Sequence, residues 1–265
     1  WLKISVSAKG VHRVTLTGNF VGKADQLHLY HRGVEVALIS ASSSEIEFYG
    51  VPNDGASDAL LYRPYTGTRM NPYYSWFSDA SAYFLTYSSS SETKLAKQQE
   101  FIEVSGSPEP YHIQKELTVY SDDYTHDEST NPISFALDQS FYDESKAMTG
   151  KAYYKFGSSG NPVFDFSFQL KKVVKDISLK PKFEVLINSR TLATHTVKSA
   201  IGKNVTTLRE FEPNLVFNTF APYKKKFELN TSSDIDINGN GTFRLESVTT
   251  TNNLNTLGIF SIAYI

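Results

Sequence analysis

Cysteine is absent from this chain of 265 residues. That removes disulfides, thiolate-held metals and a cysteine nucleophile from the chemistry open to the sequence, without fixing the compartment, because bacterial export permits disulfides but does not require them. An excess of one charge sign is also missing. A formal net charge of -2 and a pI near 6.3 give no electrostatic case for nucleic acid, since a phosphate binder normally presents a net basic surface. No apolar run approaches the roughly 18 residues of a membrane span. The chain opens at Trp1 with no methionine, basic n-region or apolar h-region. We therefore expect a processed protein or an excised piece, and the apolar ending GIFSIAYI favours the piece. Helix-type heptads are lacking as well.

What the sequence does have is aromatic and β-branched residues. Tyr, Phe, Val, Ile and Thr dominate its regular stretches, a composition that favours strands. Leu2 to Ser7, Val11 to Leu16, Leu27 to His31, Val34 to Ile39, Glu45 to Tyr49 and Ser81 to Tyr87 read as strands, with Arg32-Gly33 as a two-residue hairpin turn. The stretch Glu45 to Tyr87 holds eleven of the thirty-six aromatic residues. That is about twice a random share, so its rings are expected to cover a fixed local architecture of short strands and specified turns. Four serines, Ser88 to Ser91, then begin a surface turn, and Phe101 to Val104 returns to the sheet. Ser105 to Pro110 combines turn formers with two prolines and is the expected linker. The domains are therefore expected at 1–108 and 111–265.

In the second domain, 121–160 is an irregular lead-in. From Pro162 the pattern is regular: Phe164, Phe166, Phe168 and Leu170 alternate with polar residues, so one face of a strand is buried. Further strands are expected at Lys182 to Ile187, Leu192 to Val197, Thr206 to Phe211, Lys225 to Leu229, Ser233 to Ile237, Thr242 to Val248 and Leu257 to Tyr264. Asn188 to Arg190 and Asn238 to Gly241 have the composition of hairpin turns. The expected fold is all-β, with two β-rich domains, the second an antiparallel jelly-roll-like sandwich.

Candidate chemistry is sparse. Asp234-Ile235-Asp236-Ile237-Asn238-Gly239 opens like a calcium loop, whose alternate oxygen side chains and glycine turn wrap one ion. The twelfth position, which should be a bidentate Glu, is Leu245, so a plain hairpin is the preferred reading. Calcium on Asp234, Asp236 and Asn238 is the alternative, and no cofactor is expected otherwise. Asn53 to Asp58 reads as a turn in which side chains bond local backbone. The acidic run Asp122, Asp123, His126, Asp127 and Glu128 reads as a solvated loop. His28 and His31 lie three apart on one strand and point to opposite faces, which makes them poor joint ligands. Gly157-Ser158-Ser159-Gly160 lacks the strand-to-helix setting of a nucleophilic serine. Lys224-Lys225-Lys226 and the Lys171 to Lys182 series read as solvated faces. No catalytic residue is nominated. The aromatic residues chosen as a sugar-stacking site are Tyr73, Tyr74 and Trp76.

A resemblance then appears. Phe48-Tyr49-Gly50, Asn53-Asp54-Gly55, Asp58, Leu61-Tyr62, Asn71-Pro72-Tyr73-Tyr74-Ser75, Phe77, Asp79 and Ala82 to Thr86 resemble the N-terminal region of the type IX secretion system sortases. These are gingipain-type cysteine peptidases of Bacteroidetes. Leu29 to Val36, with its polar turn followed by Glu35-Val36, is similar to a further segment of that family. The likeness covers about sixty residues. It implies an exported protein of the cell envelope, in the periplasm or on the outer-membrane surface. The family's full-length enzymes cleave or transpeptidate the C-terminal signals of secreted cargo. Its Cys and His pair would lie in a downstream domain, so this segment is expected to be noncatalytic and to scaffold that domain. Its expected partners are the downstream peptidase domain and other secretion-system components. The alternative is a surface jelly roll that binds cell-surface glycan or lipopolysaccharide.

Overall fold

Short strands that alternate inward and outward residues build two sandwiches. In a computed structural model of the chain, the described residues are 1–63, 69–97, 106–107, 110–125, 142, 146–174, 178–218, 221–248, 251, 253 and 256–265. The chain divides into two compact units, the first made of Trp1–Ala56 and Tyr73–Pro108, the second of Ser57–Pro72 and Glu109–Ile265. The aromatic stretch is thus shared between the units, and Ser57–Pro72 belongs with the second. The expected strand Phe101 to Val104 and the run His126 to Glu128 lie outside the described residues, as does part of the expected linker.

The first unit contains β1 (Leu2–Val6), β2 (Gly10–Thr15), β3 (Leu27–His31), β4 (Val34–Val36), β5 (Leu38–Ala41), β6 (Glu45–Gly50) and β7 (Ser81–Tyr87). One sheet has the order β1-β7-β3-β4, the other β2-β6-β5. Their inner residues, among them Val6, Leu27, Leu29, Leu38, Ile46, Phe48, Tyr83 and Leu85, form a single core. The β3–β4 hairpin closes on Arg32 and Gly33, both at positive φ (50° and 79°), as a two-residue turn between right-twisting strands requires. Val34 to Ile39 is not one strand. The chain changes sheets at Ala37, because Val36 pairs with β3 while Leu38 must enter the shared core beside β6.

The second unit contains β8 (Asp123–Tyr124), β9 (Met148–Thr149), β10 (Tyr154–Phe156), β11 (Ser159–Asn161), β12 (Val163–Gln169), β13 (Lys182–Ser189), β14 (Thr194–Gly202), β15 (Arg209–Asn218), β16 (Pro222–Glu228), β17 (Asn240–Ser247) and β18 (Phe260–Tyr264). Its main sheets have the orders β12-β17-β14-β15 and β16-β13-β18. The pairs β12–β17, β13–β16 and β14–β15 are nested in sequence and alternate between the sheets. A long antiparallel hairpin rolled on itself produces that nesting, which is the jelly-roll-like arrangement expected. The alternating phenylalanines of β12 face the core, which also holds Val185, Ile187, Val197, Phe243, Phe260 and Ile262.

Three local expectations are corrected. Ser233 to Ile237 forms turns rather than a strand, and Asn238 to Gly241 leads into β17 without closing a hairpin. The reason is a non-local contact: Gly239, at φ 81°, lies so close to the residue after β12 that a Cβ there would sit 2.0 Å from the Leu170 carbonyl oxygen. The Leu170 amide donates to the Gly239 carbonyl (2.9 Å). The Asn188 to Arg190 turn is displaced as well, since β13 continues to Ser189.

Ser57–Pro72 contributes packing to the second unit. Tyr62 is fully buried, donates its hydroxyl to the Lys146 carbonyl (2.7 Å) and meets the Tyr142 ring edge-on. Met70 packs, with Val119, against Leu186, Ala263 and Tyr264, on the other side of β13 and β18 from the main core. Replacing Tyr62 by Ala is expected to cost about 3 kcal/mol of the second unit's stability, and by Phe about 1 kcal/mol, in denaturant unfolding.

Candidate functional site

The outer face of the sheet β1-β7-β3-β4 gathers the most distinctive exposed side chains of the first unit. Alternation along β1 turns Trp1 and Lys3 outward, and the same rule sends Phe84 of β7 and His28 and Tyr30 of β3 to that face. Register then aligns Lys3, Phe84, Tyr30 and Glu35 across four strands. Trp1 is 78% exposed and Phe84 41% exposed. The Trp1 ring tilts over Tyr30, with centroids 5.9 Å apart. Three rings therefore stand on one sheet face between a lysine and a glutamate.

Beside them runs a line of three polar side chains. Glu35 lies diagonally across the hairpin from His28, within side-chain reach. His28 Nδ1 is 2.6 Å from Glu35 Oε1, and its Nε2 is 2.9 Å from Ser91 Oγ. An ionised carboxylate can only accept, so Nδ1 donates to Glu35, and in the tautomer protonated at Nδ1 alone Nε2 is the acceptor for the serine hydroxyl. His28 is buried, whereas Ser91 is exposed on the loop after β7. That loop is anchored by Ser88 N–H donating to the Gln26 carbonyl and Thr93 N–H donating to the Asp25 carbonyl. His31 points to the opposite face, as expected, and stacks on Tyr83 at 4.3 Å.

No family model matches this chain, and no curated protein matches it.

The residues selected from sequence have other surroundings. Tyr74 is buried and meets Trp76 edge-on at 5.6 Å, while Tyr73 is partly exposed. A buried Tyr74 cannot stack on a sugar, so this trio is not an open platform. Asn53 to Ala56 behaves as expected. The Gly55 amide donates to Asn53 Oδ1 and the Ala56 amide to Asp54 Oδ1, both at 3.0 Å. Arg32 reaches this turn from the β3–β4 hairpin, donating to Asn53 (3.1 Å) and Asp54 (2.6 Å). Asp123 is held by Arg190 at 2.7 Å. Lys182 and Lys226 pair with Glu228 and Glu184 on neighbouring strands, which neutralises part of the basic series. Lys225 shares the inward face of edge strand β16 with Val185 by register. With Phe211, Pro213 and Tyr223 it lines a shallow cleft of about 280 Å³ beside edge strand β15.

The calcium candidates are engaged by protein donors. Arg209 grips the fully buried Asp234 through two bonds of 2.7 and 2.6 Å, and the Asn230 amide and Ser233 hydroxyl complete its shell. Asp236 accepts from the amides of Asn238 and Asn240 and from the Asn240 side chain, fixing the turn before β17. Asn238 is exposed at the tip of that turn. Among the described residues, no three His, Asp or Glu side chains come together to hold a metal.

The sequence signals for the outer-face site were unequal. The Arg32-Gly33 turn sets the β3–β4 register, which is enough to place Glu35 near His28. Ser91 carried no signal, because it reaches His28 only through the path of a loop.

Burial alone would raise the Asp234 carboxyl, but the Arg209, Asn230 and Ser233 hydrogen bonds outweigh it and hold it below the ordinary range. A lowered folded-state pKa stabilises above the unfolded value of about 4, and the contribution is lost as pH falls through the folded value. Asp234→Asn is expected to cost about 2 kcal/mol at pH 7 and to flatten the acid limb of the stability profile. Calcium or a chelator should leave the melting temperature of the unmodified chain unchanged.

Proposed function

We propose that this chain is a pair of β-sandwiches that takes no part in peptidase chemistry itself but scaffolds and positions a downstream gingipain-type cysteine peptidase of the type IX secretion pathway, in the cell envelope. The observation that carries the reading is the fate of the residues resembling that family. Phe48, Tyr83 and Leu85 are core residues of the first unit, and Tyr62 is buried in the second. The two separated turns of the likeness, Arg32-Gly33 and Asn53-Asp54-Gly55, meet through Arg32. The shared pattern therefore specifies architecture, as suits a scaffold whose chemistry lies in another domain. This reading expects the gene to encode, after Ile265, a domain with a Cys and His pair. Sequencing that region tests it, and a continuation without such a domain would sink it.

A second reading has its own observation. The rings of Trp1, Tyr30 and Phe84 lie on one sheet face, flanked by Lys3 and Glu35. Aromatic faces stack on the CH-rich faces of pyranose rings, and the flanking polar groups can bond ring hydroxyls. The exposed part of three rings is far below the roughly 800 Å² per partner of a standard protein interface, and suits a short stretch of glycan better. Calorimetry with soluble β-glucan, xylan and mannan is expected to show binding that weakens about tenfold in Tyr30→Ala or Trp1→Ala. Equal binding by these variants would remove the face from consideration.

A further inference from the structure

We propose that Ser91, His28 and Glu35 form an acyl-transfer site that hydrolyses O-acyl esters carried on sugars. The hydrolytic step stands on the geometry of these three residues, and the sugar class rests on the ring platform of the second reading above.

The arrangement has the connectivity that serine nucleophiles need: a hydroxyl in contact with a base, and the base oriented by a third group. His28 Nε2 lies 2.9 Å from Ser91 Oγ, within proton-transfer reach, and Glu35 is 2.6 Å from the far nitrogen. Two features separate this from a merely satisfied core histidine. First, the buried imidazole lies between a partly exposed carboxylate and an exposed hydroxyl, so the polar line reaches solvent at the serine. Second, among the described residues the backbone amides of Ser91 and Glu92, like those of Ser89 and Lys94 on the same loop, donate to no protein group, so they are open to a ligand oxygen beside the serine. The Ser91 and Glu92 amides are the donors assigned to the oxyanion. His28 and Glu35 sit on the paired strands β3 and β4, which gives base and carboxylate a rigid frame.

In the proposed reaction Ser91 Oγ attacks the ester carbonyl carbon while its proton moves to His28 Nε2. Glu35 keeps the proton on Nδ1 and stabilises the imidazolium. The tetrahedral intermediate collapses with cleavage of the C–O bond, and the alcohol leaves with the proton from His28, which leaves acyl-Ser91. Water then attacks the acyl carbon and gives its proton to His28. Collapse releases the carboxylic acid and restores Ser91, so ester and water become acid and alcohol with no other reactant. Tyr30 follows His28 by two positions on the same face of β3, so a sugar stacked on the rings would bring its O-acyl group toward Ser91.

The whole chain would be treated with a fluorophosphonate probe and assayed on p-nitrophenyl acetate and on acetylated xylo-oligosaccharides. Ser91→Ala, checked for retained melting temperature, is expected to lose labelling and to slow hydrolysis by about 100-fold or more. Glu35→Gln should lower kcat and alter the pH profile, which a purely structural contact would not do. Peptide mapping should find the label on Ser91. An unlabelled wild type, or ester hydrolysis equal in wild type and Ser91→Ala, overturns the site. Trp1→Ala should raise KM for the acetylated oligosaccharide. Equal KM values would overturn the sugar class while leaving the triad standing.

Discussion

The second unit depends on hydrogen bonding along both edges of β18. Its five residues are all buried, with Phe260 and Ile262 in the main core and Ala263 and Tyr264 in the smaller cluster. A strand covered on both faces has no water with which to satisfy its backbone, so every amide and carbonyl needs a partner. β13 supplies one edge, with a register shift between Leu186 and Ile187 that divides the side chains between the two clusters. The other edge comes from the chain just before the irregular lead-in and from the lead-in itself. Thr118 and Tyr120 pair with Ile265 and Ala263, and Gly150 and Tyr153 with Ile262 and Phe260. What looked like connecting chain is thus a structural edge of the sheet.

The first unit solves a different problem, the placing of polar groups in a small sandwich. His28 is the hub of one solution, since its two nitrogens join the β3–β4 hairpin to the loop after β7. Arg32 is the hub of another, joining that hairpin to the turn after β6. Tyr83 adds a third tie, its hydroxyl accepting from the Val51 amide (3.0 Å) while its ring lies in the core. Each links segments distant in sequence through one side chain, which makes the hairpin a fixed reference for the outer face.

The parts of the fold legible in sequence were those governed by local rules. Strand-type runs located β3 and β7 to the residue, a period-two pattern located β12 within one residue, and turn composition identified Arg32-Gly33. Where non-local contact decided the outcome, pattern was a poor guide. Asp234 and Asp236 alternate with isoleucines as a strand would, but Arg209 from β15 and the approach of Gly239 to Leu170 convert the segment into turns. Tyr74 and Phe84 are equally aromatic in sequence, yet one is buried and the other stands on an open face. The site on that face was half visible: a hairpin register can place Glu35 near His28, but no local rule delivers Ser91.

Ser57–Pro72 separates the two parts of the first unit in sequence while belonging to the second. Neither sandwich is therefore written as one uninterrupted stretch of gene. A chain ended after Pro108 keeps every residue of the first unit, but a chain begun after it lacks Tyr62 and Met70 of the second. The two cores are separate, but the stretch of chain that completes the second lies inside the first in sequence.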